Sequence, residues 1–246
     1  MPLRIGCDLD GVLADMEGAL VREAQTLFAR LKAKKEEPRN TKATSARSAR
    51  VVDLEPEVSE DGVLQRELHL TDAERSELWS HVSGIDGFWE ALEEIEPGAV
   101  ARLATLAAER RWDIIFLTKR PTTAGVTAQV QSQRWLEAKG FRLPSVYVVG
   151  GSRGRIAAAL GLDIVVDDTA ENCVDVASDS KALTIAVFRD RDAPVPAALQ
   201  NMGIHVVGST NEGLDLLIDI DSGVAKEPGA MERVMRTLGL KPRAGA

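Results

Sequence analysis

The chain has 246 residues, enough for one domain carrying an insertion or for two modest domains with their own cores. A formal net charge of -8 and a pI near 5.1, with no basic patch interleaved with aromatic residues, speak against binding a nucleic-acid polymer through its backbone. There are two cysteines, Cys7 and Cys173, no secretory pattern at the start and no apolar run near the roughly 18 residues of a membrane span, so the expectation is a soluble, cytoplasmic protein without a disulfide framework or membrane partner.

The opening stretch Ile5-Gly6-Cys7 reads as a buried strand that breaks into Asp8-Leu9-Asp10-Gly11. Side chains two apart share a direction in extended chain, so Asp8 and Asp10 can converge, although a turn at Gly11 can redirect the second. Leu13, Met16, Leu20, Leu27, Phe28 and Leu31 then recur at helical spacing. From Lys32 to Gly62 the composition turns charged and Ser/Thr-rich, which predicts a flexible insertion or exposed connection with one short element near Val51-Val52. Thr71 and Glu74 have the spacing of a capping box and predict a helix start. The aromatic region that follows contains Phe88 and Trp89, which either pack in the core or supply an apolar, base-stacking surface to a pocket.

A second strand, Ile114 to Leu117, ends in Thr118-Lys119-Arg120-Pro121, repeating the pattern of an apolar strand with chemistry at its end. Thr118 can donate to a phosphate oxygen, and Lys119 and Arg120 can attract an anion or stand as exposed strand-end charges. Val126, Val130, Trp135 and Leu136 predict the next helix. A third strand at Val146 to Val149 runs into Gly150-Gly151-Ser152-Arg153-Gly154-Arg155, whose spacing fits neither a P-loop nor a dinucleotide fingerprint. Ile164-Val165-Val166 ends in a further acidic pair, Asp167-Asp168. If these alternating elements form one sheet, Asp8, Asp10 and Asp167 come together as hard oxygen donors suited to magnesium, with a substrate phosphate completing its coordination. Strands at 183–188 and 204–207 and helices at 211–220 and 229–240 complete the reading.

Taken together, Asp8-Leu9-Asp10-Gly11-Val12-Leu13-Ala14-Asp15, Leu117-Thr118-Lys119-Arg120-Pro121, Ser152-Arg153-Gly154-Arg155 and Ile164-Val165-Val166-Asp167-Asp168 resemble the motifs of the haloacid-dehalogenase-like phosphohydrolase superfamily. Gly87 to Leu92 and Pro97 to Val100 are most similar to its 5'(3')-deoxyribonucleotidase-like group. The resemblance implies a three-layer α/β fold with a Rossmann-like parallel sheet. A small, mainly helical cap would be inserted after the first strand at 16–90, leaving 1–15 and 91–246 as the catalytic core. It implies Asp8 as nucleophile and Asp10 as proton donor and acceptor. Thr118, Lys119, Arg153 and Arg155 would serve phosphate binding, and Mg2+ would be held by Asp8, the Asp10 carbonyl and Asp167, with Asp168 as ligand or support. Related enzymes usually carry a lysine where this chain offers Arg153 or Arg155, and the spacing to Gly161 and Asp167 favours Arg153. The implied substrate is a small phosphomonoester, a nucleoside monophosphate or another phosphometabolite. The alternative is a module that binds phosphate or a protein partner without hydrolysis.

Overall fold

The computed structural model describes residues 2–36, 70–190 and 193–224. Six strands form one parallel sheet: β1 (Arg4–Asp8), β2 (Asp113–Thr118), β3 (Ser145–Val148), β4 (Ile164–Asp167), β5 (Leu183–Val187) and β6 (His205–Val207). Their spatial order is β3-β2-β1-β4-β5-β6, the doubly wound arrangement. The central strands are buried along nearly their whole length, as a sheet covered on both faces requires, and this explains why Ile114 to Leu117 and Ile164 to Val166 are apolar without alternation. The sequence expectation of a three-layer Rossmann-like sheet holds.

The chain divides into two compact units, one of residues 1–16 and 86–246, the other of residues 17–85. In the first, helices α3 (Ala99–Arg110), α4 (Ala128–Ala138), α5 (Arg153–Leu160), α6 (Ala170–Asp179) and α7 (Ala197–Asn201) lie between strands, and α8 (Thr210–Val224) follows β6. Ile115, Leu117 and Val165 pack with Ala157 of α5 and Val176 of α6 in one buried cluster. Helices α3 and α8 lie side by side, tied by Arg102 to Asn211 at 2.7 Å and by Arg110 to Asp221 at 2.8 Å. A short 3-10 turn, Phe88–Glu90, precedes α3.

The second unit contains most of α1 (Met16–Glu36) and α2 (Asp72–Ser83). The capping box predicted at Thr71 is present: the Glu74 backbone N–H donates to the Thr71 hydroxyl at 3.3 Å, and the Thr71 backbone N–H donates to the Glu74 carboxylate at 2.9 Å. His81 of α2 meets Glu23 of α1 at 2.9 Å. Helix α1 begins at Met16 rather than Leu13, because the turn after β1 uses residues 11–14, and it continues to Glu36, past the predicted break at Lys32. The element expected near Val51-Val52, the rest of the stretch to Gly62 that was expected to be flexible and the helix expected at 229–240 lie outside the described residues. Among the described residues, no helix is long and apolar enough to cross a membrane.

Candidate active site

Parallel register brings the chemistry to one edge. Asp8, the last residue of β1, stands opposite Leu117, one residue before Thr118, while Cys7 pairs with Val166, one residue before Asp167. Asp8, Thr118 and Asp167 therefore occupy the carboxyl ends of three adjacent strands, at the β1/β4 boundary where strand order reverses. Crevices at such boundaries are the usual ligand sites of open α/β sheets. The turn beyond Asp8 depends on Gly11, whose φ is +80°: a Cβ there would collide with the Asp168 carboxylate.

Arg153 is drawn into this edge by the way α5 begins. The Ser152 hydroxyl caps the helix, accepting from the Arg155 N–H at 3.1 Å and donating to Asp175 at 2.8 Å. Gly154 lies so close to Asp175 and Asp179 of α6 that a Cβ would strike the Asp175 carbonyl. This anchor turns Arg153 inward, with 2% of the residue exposed, and leaves the Arg155 side chain 84% exposed beside Asp179. Arg155 therefore lies outside the cluster, and Arg153, the arginine that spacing favours, is the one beside Asp8. Its guanidinium donates to Asp8 and lies 3.6 Å from Asp167, while Nε and Nη1 have no hydrogen-bond partner. Those are donors left over at a buried position.

Asp10 forms a second buried ion pair. Arg120 donates to both of its carboxylate oxygens at 2.8–3.1 Å, and the Thr118 hydroxyl donates at 3.0 Å. Arg120 also donates to Ser132 at 2.8 Å, and its guanidinium stands 5.0 Å from the Trp89 ring and 5.9 Å from the Trp135 ring. Thr118, expected to hold phosphate, is thus engaged with Asp10. Lys119 reaches Asn172 at 3.3 Å, and Asn172 donates to both oxygens of Asp167 at 3.1 and 3.2 Å.

Among the buried groups of this edge, three carboxyls, Asp8, Asp10 and Asp167, face two guanidiniums, Arg120 and Arg153, with the half-buried Asp168, Lys119 and Arg189 around them. Burial pushes the Asp8 and Asp167 carboxyls above the ordinary carboxylate value, opposed by Arg153. Burial and then Asp167 push Asp168 up to about 8. The beneath-lying thiols of Cys7 and Cys173 are driven far upward, chiefly by burial, which favours the protonated thiol over the thiolate. Oxygen-only donors and surplus buried negative charge fit a hard divalent cation in kind. Among the described residues, no three His, Cys, Asp or Glu side chains are grouped as a cation's ligands, because Arg153 stands between Asp8 and Asp167 and Arg120 takes Asp10.

The same architecture occurs in solved structures. A predicted phosphatase from Clostridium acetobutylicum superposes with a TM-score of 0.53 at 12% identity, over 89% of this chain and 99% of that one. A HAD family hydrolase from Deinococcus radiodurans R1, solved with bound phosphate and sodium, gives 0.51 at 18% identity, over 90% and 97%. A haloacid dehalogenase-like hydrolase from Streptococcus pneumoniae gives 0.50 at 12% identity, over 88% and 98%. The fold is the one these hydrolases share. No known protein family matches the chain by sequence, and no curated protein does.

Phe88 and Trp89, expected as pocket-lining candidates, are 5% and 0% exposed and pack edge to face. The Trp89 indole N–H is spent on the Pro121 carbonyl at 3.1 Å, so this ring supports Arg120 from below and the base-stacking option gives way to the core-packing one. The sequence reading weighed Arg120 as one strand-end charge among others and left it out of the site. A signal was available: Arg120 follows Thr118 by two positions, so extended chain points both the same way and Lys119 the other. Arg189 and Asn172 had none, since each reaches the site from a different strand's loop or helix.

Proposed function

We propose that this chain is a magnesium-dependent phosphomonoester hydrolase of the haloacid-dehalogenase-like kind, working through an aspartyl-phosphate on Asp8, with the helical insertion after β1 as its cap domain. The observation that carries this reading is the buried pair of Asp8 and Arg153, in which the guanidinium keeps two unspent N–H donors beside a strand-end carboxylate. An anion with several acceptor oxygens satisfies such donors, and a phosphoryl group is the one that a carboxylate can attack.

In the first step an Asp8 oxygen bonds to phosphorus and the bond to the leaving oxygen breaks; Asp10, whose two oxygens both accept from Arg120 at rest, takes a proton from the bound monoanionic phosphate and passes it to the departing alkoxide. In the second, water attacks phosphorus, gives its proton to Asp10, and releases Asp8. Arg120 and Thr118 fix the Asp10 carboxyl group, and Arg153 meets the charge spread over the phosphoryl oxygens. Asp8, Asp167 and Asp168 would hold the magnesium ion, whose charge reduces repulsion between phosphate and nucleophile.

Nucleoside monophosphates are the first substrates to test, on the strength of the likeness of Gly87 to Val100 to deoxyribonucleotidases. The enclosure of Trp89 favours small phosphometabolites without a base as the second class. Phosphate release is measured across both panels with and without magnesium, for the unaltered chain and for Asp8→Asn. Turnover that needs magnesium and vanishes in Asp8→Asn is expected; equal rates in the two proteins defeat the mechanism. The guanidinium on Asp8 favours one further reading, magnesium-dependent phosphate binding without hydrolysis, and phosphate bound in the presence of magnesium with no phosphate released from any substrate would mark it.

A further inference from the structure

The turn that carries Asp10 belongs to no helix or strand, and two of its peptide carbonyls are spoken for from outside. Arg189, just past β5, donates through Nη1 to the Gly11 carbonyl and through Nη2 to the Val12 carbonyl at 3.0 Å. The Thr210 hydroxyl, at the start of α8, donates to the same Val12 carbonyl. The guanidinium itself is held in place: Nη2 lies 3.1 Å from Glu96 and 2.6 Å from the Thr210 hydroxyl. Glu96 in turn accepts from the backbone N–H groups of Thr210 at 2.6 Å and Asn211 at 2.9 Å, so the carboxylate closes the N-terminal end of α8 where the helix favours an anion. Next to Glu96, the Ile95 N–H donates to the Leu13 carbonyl at 2.9 Å.

We propose that Arg189 is a positioning residue for the phosphohydrolase reaction: with Glu96 and Thr210 it clamps the turn at Gly11 and Val12 so that Asp10 stays at the height of the phosphoryl group. This rests on the function proposed above. A guanidinium suits the task because its planar fork reaches two successive carbonyls at once, which an ammonium cannot do with the same rigidity. Arg189 follows β5 and Thr210 opens α8, so the turn after β1 is braced from the β5–β6 side of the sheet, whose strands contribute no other group to the reaction.

The test uses the full chain with magnesium and p-nitrophenyl phosphate, and amide hydrogen exchange at Leu13 and Ala14, whose N–H groups bond to the Leu9 carbonyl inside the turn. Arg189→Ala should lower kcat by about 10- to 100-fold, the loss typical of a small misplacement of reacting groups, with KM within about threefold. Exchange at Leu13 and Ala14 should quicken, Arg189→Lys should not restore kcat, and added guanidinium should restore part of it to Arg189→Ala. Thr210→Val, which removes one neutral hydrogen bond from the clamp, should lower kcat about fivefold. If Arg189→Ala does not fold, Thr210→Val and Glu96→Gln decide. An unchanged kcat, or a raised KM with kcat intact, overturns the clamp while the phosphatase reading stands. If the unaltered chain releases no phosphate from any substrate, the phosphatase reading fails, and the exchange rates alone decide whether Arg189 holds the turn.

Discussion

Replacing Arg120 with methionine removes the partner of a carboxylate that cannot reach solvent. The Arg120 side chain is 0% exposed and that of Asp10 is 7% exposed. Stripping one member from a buried ion pair costs about 3–5 kcal/mol, since the other charge is left unpaired. The variant also gives up the bond to Ser132 and the two indole contacts, each of which contributes roughly 0.5–2 kcal/mol where the cation is desolvated. For a chain of this size, about 2–4 °C of Tm accompanies each kcal/mol, so the ion pair alone accounts for a fall of roughly 6–20 °C and the lost contacts add to it. The double variant Asp10→Asn with Arg120→Met should recover most of that loss, because an uncharged pair carries a far smaller desolvation penalty. Trp89 and Trp135 flank the guanidinium and report the local event by fluorescence during thermal or urea unfolding. Arg120→Met within about 1 kcal/mol of the unaltered chain, or a double variant as unstable as the sum of the singles, would refute the claim that this pair is buried and coupled.

Arg153→Ala should abolish magnesium-dependent phosphate release, whereas Arg155→Ala, whose side chain is solvated beside Asp179, should leave it unchanged; equal effects in a steady-state assay would contradict the assignment. Arg153→Lys should keep part of the activity, since an ammonium carries the charge without the bidentate fork. Stability should also depend on pH in an unusual direction. Asp168 is raised to about 8, and Asp8 and Asp167 are raised as well, so their protonated forms are favoured by folding. That contribution is full below the ordinary carboxylate pKa and is lost as pH rises through the folded value. In EDTA, the Tm should therefore fall between pH 5 and pH 8.5, magnesium should reverse the fall, and Asp168→Asn should flatten it. A Tm that rises across that window would show that the acidic cluster is already compensated.

The sheet was legible because its cause is local. Buried parallel strands must be apolar throughout, and Ile114 to Leu117 and Ile164 to Val166 announce themselves before any pairing is known. The capping box at Thr71 was legible for the same reason, its two partners being three residues apart. Helix α7 was missed: five residues after Pro196 are too short for a period to emerge. The strand-end residues Asp8, Thr118 and Asp167 could be nominated one by one, and spacing favoured Arg153 over Arg155, but its turn inward toward Asp8 comes from the close approach of Gly154 to α6.

The amino-acid sequence by itself determined which segments are strands, that carboxylates and hydroxyls sit at their ends, and that a glycine must follow Asp10. The tertiary structure alone decided who pairs with whom: that Arg153 faces Asp8, that Arg120, flanked by two indoles, pairs with Asp10, and that Arg189 reaches back across the sheet to the turn at Gly11. Backbone conformation is set by neighbours a few positions away, whereas a buried charge finds its partner wherever folding delivers one, at separations of 145, 110 and 178 residues here.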